Sequence, residues 1–270
     1  CYEPLAGWLR HKLAPGTPFL LGINGAQGTG KSTLADYLAL ALVESGGRNV
    51  AILSIDDFYL TKAERQRLSR SLHPLLAVRG VPGTHDIPML SDYLRRLRNL
   101  EPGEQCRLPR FDKATDDRAD ESCWPSVTGP IDLVVLEGWC VGSAAEPDER
   151  LARPVNALER TRDADGRWRR YVNERLAADY AALFETLDAL VVLRAPSFEA
   201  ILRWRIEQEH KLTASAEPGA PGIMNDAQVR EFIAYFERIT RNNLESVGSN
   251  ADIVLELDEY HDCVASHYRE

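Results

Sequence analysis

Short apolar runs alternate along the chain with longer stretches in which apolar residues recur every three or four positions. Runs of this kind are typical of strands covered on both faces, whereas the three-to-four spacing is typical of one buried helix face. The apolar runs are residues 19–23, 50–55, 131–136, 189–193 and 253–257. Because helical stretches separate the runs, the order predicts an α/β fold with a mostly parallel five-stranded sheet and helices on both faces.

The stretches between the strands differ in regularity. Helical spacing is found in residues 31–45, 86–97, 168–187, 198–212 and 226–246. Thr61 and Glu64 have the spacing of a capping box, which predicts a short polar helix. Residues 79–85 and 101–130 are predicted to be loops, and residues 214–222, with two prolines, a flexible linker. Long irregular stretches in a compact domain are usually functional or mobile.

No change in composition marks a domain boundary, because strand patterns recur from one end of the 270 residues to the other. We therefore predict a single domain over residues 1–270. Insertions into this domain are expected at about residues 60–128 and 196–224.

The first apolar run leads into residues 25–32, which read GAQGTGKS and match G-x-x-x-x-G-K-[ST] in full, between a predicted strand and a predicted helix. Glycines let backbone N–H groups approach phosphate oxygens, and the helix N-terminus faces the anion. In this pattern Lys31 reaches the β- and γ-phosphates of ATP, and Ser32 offers its hydroxyl to Mg²⁺. A chance glycine-rich turn is the alternative. The residues expected to hold the nucleotide are Gly25, Ala26, Gln27, Gly28, Thr29, Gly30, Lys31, Ser32 and Thr33.

Carboxylates follow the next two strands. Asp56 and Asp57 end the second apolar run, and Glu137 directly follows the third. Ligands of an open α/β sheet bind beyond the carboxyl ends of its strands. One carboxylate there can hold Mg²⁺, and another can accept the proton of an attacking hydroxyl. The alternatives are a loop start or helix cap for the aspartates and a structural ion pair for Glu137.

Basic residues lie in the loops between these acidic strand ends, at Arg79, Arg110, Lys113 and Arg118. Phosphoryl transfer needs positive charge near the γ-phosphate, and an acid substrate needs a cation for its carboxylate. The alternative for each of them is a solvated surface charge.

Together these motifs resemble the D-glycerate 3-kinase family of plants, fungi and bacteria. That family is one of the P-loop kinases of small metabolites, with uridine kinase, phosphoribulokinase and bacterial pantothenate kinase. The motifs are residues 54–61 (SIDDFYLT), 79–86 (RGVPGTHD), 109–113 (PRFDK), 136–139 (LEGW), 204–209 (WRIEQE) and 232–236 (FIAYF). The resemblance covers most of residues 18–236, and residues 158–170 resemble the bacterial branch. Residues 140–143 (CVGS) depart from the plant members, which have a glycine-aromatic pair after a longer hydrophobic stretch.

The resemblance implies a P-loop NTPase fold with a lid, and it implies roles for single residues. Asp56 would be the general base, Asp57 a second carboxylate near Mg²⁺ or the substrate, and Glu137 the metal-linked acid. The implied catalytic set is Asp56, Lys31 and Arg205, and the implied metal set is Ser32, Asp57 and Glu137. The residues implied to bind the acceptor are Asp56, Tyr59, Arg79, His85, Asp86, Lys113 and Arg118. For Asp86 a helix cap is the alternative, and for Arg205 an ion pair with Glu209, four residues on.

Composition excludes several other classes. There are 32 Lys+Arg against 41 Asp+Glu, a net charge of −9, which argues against a general nucleic-acid binder. No apolar run reaches the ~20 residues that span a bilayer, and the first residues do not resemble a signal peptide. The five cysteines are odd in number and lack C-x-x-C spacing. This pattern predicts free thiols in a cytoplasmic protein rather than a disulfide framework or a zinc ribbon.

The leading prediction is an ATP-dependent kinase that phosphorylates a hydroxyl of a small hydroxy acid, D-glycerate, with Mg²⁺ as cofactor. One alternative keeps the chemistry but changes the acceptor to a nucleoside, pantothenate or a sugar. A small acid predicts a tight pocket with two Arg or Lys, and a nucleoside predicts an aromatic-lined slot. The other alternative, a nucleotide-dependent switch ATPase, needs no acceptor pocket, and the position of Asp56 argues against it. We expect a monomer or small homo-oligomer, without nucleic-acid or membrane partners.

Overall fold

A computed structural model of the chain describes residues 1–215 and 224–269. The strands are β1 (Phe19–Gly25), β2 (Val50–Ser54), β3 (Gln105–Arg107), β4 (Phe111–Asp112), β5 (Asp117–Arg118), β6 (Ser126–Thr128), β7 (Leu133–Gly138), β8 (Ala189–Arg194), β9 (Ile253–Leu257) and β10 (Cys263–Tyr268). The helices are α1 (Tyr2–Lys12), α2 (Lys31–Gly46), α3 (Lys62–Ser71), α4 (Ile87–Arg98), α5 (Asp148–Leu151), α6 (Ala157–Arg162), α7 (Arg167–Arg175), α8 (Ala181–Phe184), α9 (Phe198–Ser215), α10 (Asp226–Ala234) and α11 (Glu237–Asn250).

Within the described residues, six strands form the central sheet in the order β10-β9-β8-β1-β7-β2. The five predicted strands are present and parallel, with Leu21 of β1 opposite Val135 of β7 and Ala189 of β8. The fold class predicted from the apolar runs is therefore confirmed. The sixth strand, β10, is an antiparallel edge strand that we did not predict. Its sequence, CVASHY, is half-exposed and has no apolar run.

Alternate residues of each inner strand face opposite sides of the sheet, as the two-residue repeat of a strand requires. Leu20 of β1 belongs to the core that packs against α4, α8 and α11, whereas Leu21 belongs to the core against α1, α2 and α9. Both faces are thus covered by helices. The turns that follow the carboxyl ends of β1, β2 and β7 carry the predicted site.

Several helices differ from the predicted ones. α1 was not predicted, although its Leu5 and Leu9 are fully buried. The predicted helix 168–187 is present, with a π-helical stretch at Leu176–Tyr180 between α7 and α8. The predicted helix 226–246 is broken at Tyr235–Phe236 into α10 and α11. The break lets the Phe236 ring pack edge-on against Trp139, with 4.9 Å between ring centroids.

The predicted loops and caps are present in the parts that the structure describes. Thr61 and Glu64 form the capping box of α3, and Asp86 caps α4 by accepting the N–H of Met89. The irregular stretch 101–130 contains two short antiparallel pairs, β3 with β6 and β4 with β5. Most of the predicted linker 214–222 lies outside the described residues.

The prediction of five free thiols is wrong, because a disulfide joins Cys1 to Cys263. Spacing rules detect only cysteines that are close together in sequence. Cys1 and Cys263 are 262 residues apart in the chain, although their Cα atoms lie only 6.2 Å apart. Among the described residues, Cys106, Cys123 and Cys140 are free thiols. In this same part of the chain, no helix has the length and apolar character needed to cross a membrane.

Candidate active site

The loop between β1 and α2 has the geometry of a phosphate loop. Gly28 and Gly30 have φ values of +82° and +88°, a region that side-chain-bearing residues rarely adopt. A Cβ at Gly25 would lie 2.5 Å from Thr29 Oγ1, so this position has no room for a side chain. Lys31 Nζ donates to the Ala26 carbonyl at 3.1 Å and closes the loop. Backbone N–H groups and one ammonium group therefore surround a space suited to phosphate.

Lys31 lies between two carboxylates. Burial lowers the pKa of Lys31, and the negative charges of Glu137 and Asp56 oppose this effect. Asp56 follows the carboxyl end of β2, and Glu137 is the next-to-last residue of β7. The phosphate loop and the two acidic strand ends thus form one cluster.

Ser32 and Glu137 provide a place for a metal ion. Ser32 Oγ donates to Glu137 Oε1 at 3.3 Å, and Glu137 is buried at the end of β7. A hydroxyl and a carboxylate are oxygen donors of the kind that Mg²⁺ prefers, and Mg²⁺ needs few protein ligands when phosphate and water supply the rest. The donor set therefore fits Mg²⁺.

Asp56 is the second residue of the 3₁₀ turn Ile55–Phe58, which follows β2. Its Oδ1 accepts a hydrogen bond from the Tyr59 hydroxyl at 2.6 Å, and its Oδ2 accepts one from Lys113 Nζ at 3.1 Å. Burial acts to raise the pKa of Asp56, but the Lys113 charge and the Tyr59 hydrogen bond outweigh it and hold the pKa below its usual value. The group is consequently a carboxylate at neutral pH, able to accept a proton.

Asp57 is turned toward a different loop. Its Oδ1 accepts the backbone N–H of Phe111 at 3.0 Å, and its Oδ2 contacts Arg110 at 3.3 Å. Burial raises the pKa of Asp57, although the Phe111 N–H and Arg110 favour its charged form. The structure does not bring Asp57 to the Ser32–Glu137 pair, because the tight turn directs neighbouring side chains apart. Its contacts anchor the segment that carries Lys113.

A cleft of about 330 Å³ joins these groups. The predicted residues that line it are Gln27, Gly28, Lys31, Ser32, Asp56, Tyr59, Lys113, Glu137 and Arg205. Arg205 forms the alternative ion pair considered above, with 2.5 Å between Arg205 Nη1 and Glu209 Oε2, and it still reaches the cleft. Lys31, Lys113 and Arg205 bring three positive charges to it.

Four predicted acceptor-binding residues do not line this cleft in the part of the chain that the structure describes. Arg79 pairs with Asp116 and lies over the Phe111 ring. Arg118 pairs with Asp86, whose other carboxylate oxygen caps α4. Paired in this way, Arg79 and Arg118 hold the loops around the cleft together.

The fourth, His85, lies beneath the cleft. Its ring stacks on Tyr59 with 4.7 Å between centroids, and its Nδ1 lies 2.6 Å from the Tyr180 hydroxyl. That hydroxyl also accepts the Gly83 N–H, so Tyr180 connects the His85 ring to the loop below the cleft. Burial lowers the pKa of His85 to about 4, which keeps the ring neutral. His85 thus supports Tyr59 from below.

Sequence reasoning missed an aromatic wall. The residues lining the cleft that were assigned no role are Ser54, Gly138, Trp139, Gln208, Phe232 and Phe236. Trp139 Nε1 donates to the Gly80 carbonyl, and Phe232 packs on Phe236 with 4.9 Å between centroids. The four-residue spacing of the two phenylalanines indicated a shared helix face, but not that the face meets the cleft.

A neighbouring cavity of about 390 Å³ lies on the other side of the phosphate loop. Gly28, Gly30, Lys31, Ser32 and Thr33 line it, and the two spaces share Gly28, Lys31, Ser32 and Gln208. On its far side the rings of Trp204 and His261 lie 4.0 Å apart. A cavity of this size is typical of a small-molecule site.

Comparison with known proteins gives consistent matches. No family model matches the chain. The chain is 38% identical over 229 residues to the uncharacterized kinase mug58 of Schizosaccharomyces pombe, which covers 82% of this chain and 79% of that protein. It is 32% identical over 258 residues to the chloroplastic D-glycerate 3-kinase of Arabidopsis thaliana, covering 89% of this chain but about half of the relative, 52%. The solved structure of D-glycerate 3-kinase from Cryptococcus neoformans superposes with a TM-score of 0.83 at 26% identity, covering 99% of both chains.

Proposed function

The chain belongs to the family of P-loop kinases that contains mug58 and the D-glycerate 3-kinases, and from this premise we propose that it phosphorylates a hydroxyl of D-glycerate with Mg·ATP. The observation that carries the proposal is the position of Asp56. Its carboxylate faces the same cleft as Lys31 and the Ser32–Glu137 pair. An acceptor hydroxyl bound at Asp56 would meet the γ-phosphate end of a nucleotide on the phosphate loop.

The residues divide the reaction between them. Asp56 accepts the proton of the acceptor hydroxyl as that oxygen attacks the γ-phosphorus in line. Tyr59 and Lys113 hold the two oxygens of this carboxylate in place. Lys31 and Arg205 stabilise the charge that develops on the transferred group. Ser32 and Glu137 would hold Mg²⁺, which would supply positive charge to neutralise the phosphates.

The nucleotide fits the neighbouring cavity. Its phosphates would follow the loop N–H groups toward Lys31, and its nucleoside would lie against Thr33, Trp204 and His261. The two cavities meet at Lys31 and Ser32. This arrangement supports ATP entering on one side and the acceptor on the other.

The charge and size of the cleft favour a small acid as acceptor. About 330 Å³ must hold both the transferred phosphoryl group and the acceptor, which leaves room for a compact molecule. Lys113 and Arg205 provide cations for a carboxylate in addition to Lys31. A nucleoside is the second candidate, because Trp139, Phe232 and Phe236 give the cleft an aromatic wall.

The test is ADP release with separate acceptors: D-glycerate, uridine, pantothenate and ribulose 5-phosphate. We expect D-glycerate to have the highest kcat/KM, and its methyl ester to be a poor substrate because the ester lacks the anionic charge. Turnover of uridine without turnover of D-glycerate would instead indicate that the aromatic wall binds a nucleobase. ATP hydrolysis that none of the acceptors stimulates would contradict the proposed acceptor class altogether.

A further inference from the structure

Glu209 is a buried carboxylate on α9, one helical turn after Arg205. Glu209 is 2% exposed, and its Oε2 lies 2.5 Å from Arg205 Nη1. Isolated pairs with this four-residue spacing are usually exposed and contribute little. This one is shielded from water, with the Arg205 side chain 14% exposed, and Arg205 is one of the cations of the cleft. The Arg205–Glu209 pair therefore differs from an ordinary exposed ion pair on the surface of a helix.

The second oxygen of Glu209 has a different partner. Oε1 accepts the backbone N–H of Met224 at 2.8 Å, and α10 begins two residues later behind a capping box formed by Asn225 and Gln228. α10 carries Phe232 to the cleft, and Phe236 follows its last turn. One carboxylate thus contacts both the phosphate-side cation and the start of the helix that bears the aromatic wall.

The chemistry of the two groups explains why such a link is useful. A guanidinium has five N–H donors, so a carboxylate can hold one edge and leave the others for phosphate oxygens. A buried arginine without a partner would be costly, and a flexible one would lose side-chain entropy on each turnover. A fixed partner on the same helix removes both costs.

We propose that Glu209 is a positioning residue that orients Arg205 toward the transferred phosphoryl group and fixes the aromatic wall relative to it. This inference rests on the proposed function, because it takes Arg205 as a cation of phosphoryl transfer. Glu209 acts through Arg205 and the start of α10, and it touches neither substrate.

The experiment is a double-mutant cycle of Glu209→Gln and Arg205→Lys, measured as kcat and KM for both substrates. Gln keeps an oxygen for the Met224 N–H but removes the charge that holds Arg205. We expect Glu209→Gln to lower kcat roughly tenfold, within the range of interaction free energies between residues in direct contact. Its KM for ATP should stay close to the wild-type value. The double variant should be no slower than Arg205→Lys alone, because residues that act as a unit are not additive.

The matched control is Glu237→Gln. Glu237 pairs with Arg241 at the same four-residue spacing on α11, away from the cleft. It should keep wild-type kcat, and its melting temperature should fall less than that of Glu209→Gln because the Glu237–Arg241 pair is more exposed. If Glu209→Gln does not fold, Glu209→Asp, which keeps the charge but draws it back from both Arg205 and Met224, enters the same cycle.

Three results would overturn the inference, and they are distinguishable from failure of the proposed function. Rate losses that multiply in the double variant would show that Glu209 acts independently of Arg205, while kinase activity on the acceptor stands. Full activity of Glu209→Gln would show that the pair is a stability contact. Full activity of Arg205→Lys would show that a cation suffices at this position without the guanidinium, which would contradict the orienting role of Glu209.

Discussion

At the scale of single residues, two adjacent aspartates have different surroundings. Asp56 shares its carboxylate between a phenol and an ammonium at the edge of the cleft, whereas Asp57 fixes the backbone at Phe111. The pKa values follow these surroundings: that of Asp56 is lowered and that of Asp57 is raised. A general base must be ionised at neutral pH, and the lowered pKa of Asp56 fits this role better than the raised pKa of Asp57.

Replacing each aspartate by asparagine should separate the two roles. Asn at 56 keeps the shape but cannot take the proton, and loss of a general base typically costs on the order of 10²–10⁴ in rate. Asp56→Asn should therefore lose kcat by that factor, while ATP binding measured by calorimetry changes little. Asp57→Asn should keep most of kcat at saturating Mg²⁺ and lose melting temperature instead. A nearly active Asp56→Asn beside an inactive Asp57→Asn would exchange the two assignments.

Tyr59 should set the lower pH limit of activity. Its hydroxyl hydrogen bond favours the charged form of Asp56, so removing it raises the pKa of that carboxyl. Activity is lost as pH falls through this pKa, since the base must be ionised. In Tyr59→Phe the acid limb of kcat/KM against pH should move to higher pH. Tyr93→Phe, whose ring packs on Phe58 instead, is the control and should keep the wild-type limb.

Lys113 and Arg79 lie in neighbouring loops and should differ in their kinetic effect. Lys113 lines the cleft, and its Nζ is the cation at Asp56. Lys113→Met should raise KM for the acceptor about tenfold, the scale of one charged hydrogen bond, with KM for ATP little changed. Arg79→Met should alter stability more than KM, because Arg79 pairs with Asp116. Equal acceptor KM values in Lys113→Met and the wild type would remove Lys113 from the acceptor site.

At the scale of elements, the loop 79–86 is a rigid support for the residues above it. Gly80 N–H donates to Thr84 Oγ1, and the Gly80 carbonyl accepts from Trp139. Gly83 N–H donates to Tyr180, which lies at the end of the π-helical stretch. Such stretches often occur at functional sites, and this one brings Tyr180 into contact with His85. The loop thus connects the helical layer to the stack under Asp56.

Replacing Gly83 by a residue with a side chain should destabilise the protein for two reasons. Its φ is +92°, and a Cβ there would lie 2.7 Å from the Tyr171 ring. Gly103→Ala is a matched control, because Gly103 has φ +82° but nothing within 4 Å. The control should lose ~1–2 kcal/mol of unfolding free energy from backbone strain alone. Gly83→Ala should lose a further ~1–3 kcal/mol from overpacking, measured by denaturant unfolding. Equal losses would mean that Tyr171 moves aside freely.

The elements that the sequence predicts well are those whose pattern is local. β1, the phosphate loop and α2 are adjacent in the chain, and their apolar spacing and glycines are visible in residues 19–45. The break at Tyr235–Phe236 is not visible, because the helical spacing continues through it and the Phe236–Trp139 contact that accompanies it joins residues far apart in sequence. Likewise, Asp56 and Asp57 are alike in sequence, and their roles separate through contacts with residues 111 and 113.

At the scale of the whole molecule, an acidic protein concentrates positive charge at one place. The chain has a net charge of −9, yet Lys31, Lys113 and Arg205 meet in one cleft. They come from segments far apart in sequence, and the parallel sheet brings them together beyond its carboxyl ends. This convergence can be anticipated from strand order. The pairing of Arg79 and Arg118 with acids outside the cleft cannot, because loop contacts decide it.

The disulfide Cys1–Cys263 should stabilise the whole chain, because it fastens α1, ahead of the central strands, to the edge strand β10. Cross-links that close long loops restrict the unfolded state, typically by about 2–4 kcal/mol. Reduction should therefore lower the midpoint of thermal unfolding, and Cys263→Ser should lower it similarly. Thiol titration in denaturant should count three thiols before reduction and five after, from the five cysteines and one bond. Adding reductant should not lower the midpoint of Cys263→Ser further. If the midpoint of the wild type is unchanged after thiol titration has verified reduction, packing alone holds α1 and β10 in place.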